Sequence, residues 1–230
     1  MNQLLEWMTG FPLFGLLLTL LAFFLGQQLY NATGRHAYFQ PVVAGMFLVI
    51  GFLLLARIPY PLYFRSAELL HLLMGPAIVA LAVPLFQHAR RIRALLLPVI
   101  LTLLTGGILT VGIAVGIMWL LGASEQSLIS MTTKSITTPI AMAVSEKIGG
   151  IASLSAVVVM VTGALGAIVG IPIMQRLGIH DNAVKGLTLG LTAHAIGTAR
   201  ALEENEECAA FSALAMGLTG IFTALILPAV

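Results

Sequence analysis

Long apolar runs separated by short polar interruptions make up almost the whole chain. They extend over Phe11 to Tyr30, Pro41 to Arg57, Glu68 to Phe86, Ala94 to Leu121, Ile151 to Ile173 and Phe211 to the last residues. A helix of about 20 apolar residues is about 30 Å long, which matches the hydrocarbon core of a bilayer. Two more segments, Gln126 to Lys147 and Ala183 to Glu204, are apolar at their ends and polar within. The pattern predicts an all-α, polytopic membrane protein of about eight spans, two of them discontinuous, folded as one integral membrane domain over residues 1–230. Residues 11–121 and 125–230 can be compared as a four-plus-four duplication, since AIVALA at Ala77 to Ala82 faintly echoes AIGTAR at Ala195 to Arg200.

The interruptions carry the chemistry of turns and interfaces. Ile58 to Phe64, IPYPLYF, has two prolines and three aromatic rings and is expected as an interfacial loop. Pro76 and Pro84 predict a kink in the third run. The loop QHARRIR, with Arg90, Arg91 and Arg93, is the strongest basic cluster and is expected on the cytoplasmic side, which leaves both termini external. Gly112 and Gly116, and separately Gly163, Gly166 and Gly170, predict smooth strips for close helix approach. Gly149 and Gly150 predict a turn, and Asp181 or Asn182 a helix cap.

Composition supports the membrane class: 59% of the 230 residues are hydrophobic and 9% charged, against about 45–50% and 25% in soluble proteins. The net charge of +2 and its scatter make nucleic acid an implausible partner. Met1 to Gly10 contains Glu6 and no Lys or Arg, so it lacks the basic start of a cleaved signal peptide. Cys208, the sole cysteine, excludes an intrachain disulfide and a thiolate metal site, and is expected to react with an impermeant reagent from the cytoplasmic side. His and carboxylate spacing for a metal is absent, and nothing calls for a cofactor.

Within the first discontinuous segment, MTTKSITTPIAMA from Met131 to Ala143 gathers Lys134, Ser135, Thr137, Thr138 and Pro139. Proline restricts the residue before it and lacks an N–H, so one helix is expected to end near Lys134, with Thr138 as N-cap of a second helix and Pro139 in its first position. In the second segment Gly186, Gly190 and His194 share a helix face. Gly197 fits a helix C′ position, Thr198 the N-cap of a following half-helix, and Arg200 its first turn. Free N–H groups and the positive ends of two half-helices would then point at one anion, with Lys134 and Arg200, whose acid partners are hard to find in the sequence, adding charge. The plainer alternatives are a structural kink with threonine repair, an interfacial anchor at Arg200, and a His194 hydrogen-bonded to a backbone carbonyl. Ser130 and Lys134, four apart, admit a Ser–Lys hydrolase pair, but no oxyanion partner is recognisable and no enzyme is expected.

KSITTPIAMAVSEKIGGIASLSA, Lys134 to Ala156, with GLTLGLTAHAIGTARA, Gly186 to Ala201, and AFSALAMGLTGIFTALI after Cys208, closely resembles the LrgB/CidB family of bacterial inner-membrane proteins. The family is described as antiholin-like, affecting murein hydrolase export and lysis together with a smaller LrgA/CidA-like membrane partner. Its plant relatives resemble the plastid glycolate/glycerate translocator, and some bacterial relatives are linked to pyruvate uptake. The resemblance implies a multi-pass protein of the bacterial inner membrane and places Lys134, Ser135, Thr137, Thr138, Pro139, His194, Gly197, Thr198 and Arg200 at its matching positions. The expectation is a secondary transporter of small monocarboxylates, with an antiholin- or holin-like regulator as the alternative. Its partners would be a small organic anion and the lipid bilayer, with a homodimer compatible with the glycine-rich faces.

Overall fold

The computed structural model describes residues 11–229; the reading of Met1 to Gly10 as a segment without a signal peptide lies outside them. Among the described residues the fold is helical throughout. The helices are α1 (Phe14–Ala32), α2 (Pro41–Ala56), α3 (Tyr60–Ser66), α4 (Glu68–Ala80), α5 (Ala82–Gln87), α6 (Ala89–Ala94), α7 (Leu96–Leu120), α8 (Glu125–Met131), α9 (Thr138–Lys147), α10 (Ala152–Arg176), α11 (Asn182–Glu204) and α12 (Glu206–Ile226). Helical stretches long and apolar enough to cross a bilayer are Phe14–Ala32, Glu68–Gln87, Leu96–Leu120, Ala152–Arg176 and Glu206–Ala229, with the shorter apolar Pro41–Ala56 beside them. Large apolar side chains face outward, Leu55 at 88% exposure being the extreme. A surface of that kind is stable against lipid and not against water.

The described residues form two compact units that divide between Ala80 and Leu81. In the first, α1 and α2 cross where both are glycine: a Cβ on Gly26 would sit 2.8 Å from the Pro41 carbonyl oxygen, and one on Gly45 3.3 Å from Phe23 Cα. Phe14, Ala22, Val49, Leu53 and Ile58 form its core. Gln40 caps α2 by accepting from the Val43 N–H at 3.0 Å, with Pro41 in the first turn. Residues Tyr60 to Phe64 are helical, which corrects the expected loop. Pro61 falls in the first turn of α3, where a missing N–H costs nothing, so the prolines start a helix. Its rings meet at helical spacing in tilted pairs, Tyr60 with Tyr63 and with Phe64.

The third apolar run is interrupted at Leu81, as Pro84 foretold, since it has no N–H to offer the Ala80 carbonyl and α5 begins afresh at Ala82, whereas Pro76 lies inside the continuous α4. The basic cluster is a short helix, α6, rather than a loop.

In the second unit α11 and α12 pack along most of their length, because Gly186 and Gly190 let the α12 backbone come against α11: a Cβ on either would collide with the Cys208 or Ser212 carbonyl oxygen. Gly163, Gly166 and Gly170 of α10 face His194, Ala193 and Leu189 of α11, so the predicted strip is a packing face. Gly112 and Gly116 differ: nothing among the described residues lies within 4 Å of a Cβ built on either. Val99, Leu103, Ala183, Leu191, Phe211 and Ala215 form the core joining α7 to α11 and α12. Cys208 is fully buried with Ile171, Met174, Leu189 and Ala201, which corrects the expectation that its thiol is reachable from the cytoplasm.

Caps and one ion cluster hold the helix ends. Asp181 caps α11, accepting from the N–H groups of Ala183 (2.8 Å) and Val184 (3.1 Å). Asn205 caps α12 through the Cys208 N–H at 2.9 Å. Arg91 of α6 reaches both, pairing with Asp181 and Glu207 at 2.8 Å each.

Candidate functional site

The first break lies where the sequence places it, with shifted edges. Helix α8 ends at Met131 rather than Lys134, residues 132–137 are non-helical, and α9 begins at Thr138. The N-cap is therefore Thr137, with extended φ −67 and ψ 145, not Thr138, and Pro139 takes the second helical position. Proline is accepted anywhere in the first turn, so its presence fixes the start of α9 only to within a residue. No side chain caps this end, and the opening N–H groups of α9 have no intrahelical acceptor. Thr132 and Thr133 turn their hydroxyls onto the carbonyls of Ile129 (2.7 Å) and Ser130 (3.0 Å), which ends α8.

Ser135 and Ile136 are buried, and Lys134 donates to Ser135 Oγ at 3.0 Å. No carboxylate pairs with Lys134 among the described residues. An ammonium has three donors and only one is used, so the break carries a cation in search of an acceptor. The Ser130–Lys134 pair is not made. Ser130 donates to the Gln126 carbonyl at 2.7 Å and accepts from the Ile151 N–H at 2.8 Å, while the helix that would align it with Lys134 has already ended.

The second break is at His194, not at Gly197 and Thr198. His194 has φ 42 and ψ −128, whereas Ile196 to Arg200 coil without interruption. A positive φ on a bulky residue costs about 1–3 kcal/mol and persists only when the surroundings impose it. Here the ring lies in the notch left by Gly163, and Nε2–H donates to the Val159 carbonyl at 3.0 Å. Gly197 folds back onto the preceding half-helix, where a Cβ would meet the Leu189 carbonyl oxygen and Ala193 Cβ. Its glycine serves the closeness of that bend and not a C′ conformation. Thr198 spends its proton on the His194 carbonyl at 2.9 Å and so accepts from Ser212 Oγ, also at 2.9 Å; it caps nothing.

Arg200 is buried but paired, with Glu203 at 2.9 Å and Glu204 at 2.7 Å. The acid partners thought hard to find stand three and four residues ahead on the same helix, inside what reads in the sequence as a polar turn.

Both breaks pack on one stretch of α10. Ile136 and Ala141 form a buried cluster with Val159, whose carbonyl holds the His194 ring. Lys134, Ser135, Thr137, Thr138 and Pro139 thus gather at one break, His194, Gly197 and Thr198 at the other, and Arg200 stands apart in its ion triplet. The polar groups of the two breaks make no hydrogen bond with each other among the described residues.

Beside the first break is a half-open cavity of about 340 Å³ between α7 and α12, with Leu103, Gly107, Thr132, Ser135, Thr219 and Phe222 on its walls and the exposed Ile108 and Ile226 at its mouth. Of the candidate site residues only Ser135 reaches it, and Gly112 of the predicted glycine strip lies on its wall. Thr219 and Thr223, four apart on α12, also line it and were missed, although their spacing puts both hydroxyl-bearing residues on one helix face.

Comparison with known proteins gives the chain its relations. The model of the LrgB-like family matches residues 19–230. An uncharacterized protein of Haemophilus influenzae is 32% identical, the match covering 92% of this chain and 91% of that one. The holin-like protein CidB of Staphylococcus epidermidis is 26% identical over 93% of each chain, and the antiholin-like protein LrgB of Bacillus subtilis 28% identical over 94% of each. No solved structure matches the chain. Taken with the apolar helices described above, these matches make the protein a multi-pass membrane protein, and the chain belongs to the LrgB-like family.

Proposed function

We propose that this protein governs the passage of small organic anions across the bacterial inner membrane, as a secondary transporter of small monocarboxylates of the glycolate, glycerate, lactate or pyruvate kind. The observation that carries the proposal is the first break: an unpaired Lys134 beside Ser135 and the uncapped, electropositive start of α9, all within an apolar helical bundle. A carboxylate there would accept from Lys134 Nζ and the first N–H groups of α9, with Ser135 and Thr137 left to bond a 2-hydroxy or 2-oxo group. The second break supplies a shaped bend on the far side of Val159, where the His194 ring is held in one tautomer. Arg200 is given no direct part, since two glutamates already satisfy its charge.

A second function, antiholin- or holin-like, is favoured by the names of the relatives and has more direct support from them than any one carboxylate has; control of murein hydrolase export and lysis with a small LrgA/CidA-like partner is what the family resemblance adds to it. Proteoliposomes separate the two. Saturable uptake of labelled glycolate or pyruvate, without leakage of an entrapped dye, is expected of the transporter. Unselective dye release without saturable flux would refute it and support the pore-forming class.

A further inference from the structure

We propose that the cavity between α7 and α12 receives the part of a monocarboxylate that extends beyond a head held at Lys134 and Ser135, so that acids longer than glycolate or pyruvate bind more tightly at the same site. The inference rests on the transporter function proposed above and names the substrate class of the same site. Its first support is volume: about 340 Å³ is room for roughly eleven water-sized groups, far more than a two- or three-carbon acid occupies. Its second is chemistry. The walls are mostly apolar, from Leu103, Val111, Phe222 and Ile226, with Ser135 and Thr132 on the side of the break and Lys134 Nζ 3.0 Å from Ser135 Oγ. Binding sites of this kind place a few polar groups at one end of an apolar chamber and so orient an amphipathic ligand. Thr219, on the wall and 8% exposed, has a hydroxyl with no partner, a further polar group that an occupant could satisfy.

A small, strongly hydrated acid gains nothing from such walls. Each methylene added to the acid and buried against them tightens binding by about fourfold, until the chamber is full. The cavity also has a built-in control. Gly112 lies on its wall with open space where a Cβ would go, so Gly112→Leu is expected to narrow the cavity with no clash at its Cβ.

The test is competition against uptake of labelled glycolate in proteoliposomes, with unlabelled acids from acetate through hexanoate and leakage into protein-free vesicles subtracted. The inference expects half-inhibiting concentrations to fall by severalfold per methylene, and Gly112→Leu to abolish that trend while short acids still compete. Constant or weakening competition along the series, or a trend untouched by Gly112→Leu, would overturn it and leave the transporter function standing. Hexanol competing as well as hexanoate would mark the cavity as a seat for lipid chains and overturn it too. Absence of uptake for every acid would remove this inference together with the function on which it rests.

Discussion

The His194 bend depends on a missing side chain one helix away, and Gly163→Ala tests that dependence. A Cβ on Gly163 would lie 2.7 Å from His194 Nε2, 2.8 Å from Cε1 and 2.9 Å from Ile196 Cδ1. Relaxed carbon contacts need about 3.5–4.0 Å, so ring and isoleucine must both retreat by the better part of an ångström. Retreat of the ring lengthens its 3.0 Å bond to the Val159 carbonyl, in a buried place. Overpacking costs about 1–3 kcal/mol, a buried polar pair left unmade about 1–3 more, and the better helix propensity of alanine returns about 1, for a net loss of about 1–5 kcal/mol. The comparison is Gly112→Ala, which meets nothing within 4 Å and should be neutral or slightly stabilising. Thermal unfolding in detergent, read by intrinsic fluorescence, is the assay, with uptake measured on the same preparations. If Gly163→Ala proves as stable and as active as Gly112→Ala, the ring is not what sets the bend.

Replacing Lys134 by alanine removes a charge-assisted hydrogen bond of about 1.5–3 kcal/mol, so uptake at low substrate should fall about ten- to a hundredfold; uptake equal to wild type would remove the site. Ser130→Ala leaves the Ile151 N–H without its acceptor and should cost about 1–3 kcal/mol in unfolding experiments, with little effect on substrate affinity in the fraction that folds. Cys208 should resist an impermeant maleimide applied from either side and react only after denaturation, because its side chain is fully buried. Arg91→Ala removes two ion pairs, one half-exposed and one to the less exposed Glu207, and should cost about 1–2 kcal/mol, with a difference from wild type that shrinks in high salt.

The helical, polytopic class was legible in the sequence because lipid dictates it: a membrane helix must be long and apolar, and both properties are written residue by residue. The first break was legible for the same reason, since Pro139 beside Lys134 has no place in a continuous lipid-facing rod. Only its edges were off, by one residue at the cap and three at the end of α8. The second break was visible but misplaced. Gly197 followed by Thr198 satisfies local end rules, yet what bends α11 is the pocket made by Gly163 on another helix, and no local signal at His194 announces that. Arg200 shows the opposite failure. Its partners were in plain sight at Glu203 and Glu204, and were discounted only because α11 was expected to give way to a turn before reaching them. The cavity, made by α7 meeting α12, is a property of packing between segments about a hundred residues apart and has no linear trace.

The row of glycines on α10 also has a mechanical meaning. With Gly163, Gly166 and Gly170 meshed against His194, Ala193 and Leu189, and Gly186 and Gly190 meshed against α12, there is no slack for one of these three rods to slip past another. They form one meshed block, so the rearrangement that the transport cycle proposed above requires is expected outside it, the non-helical stretch at residues 132–137 being one such place.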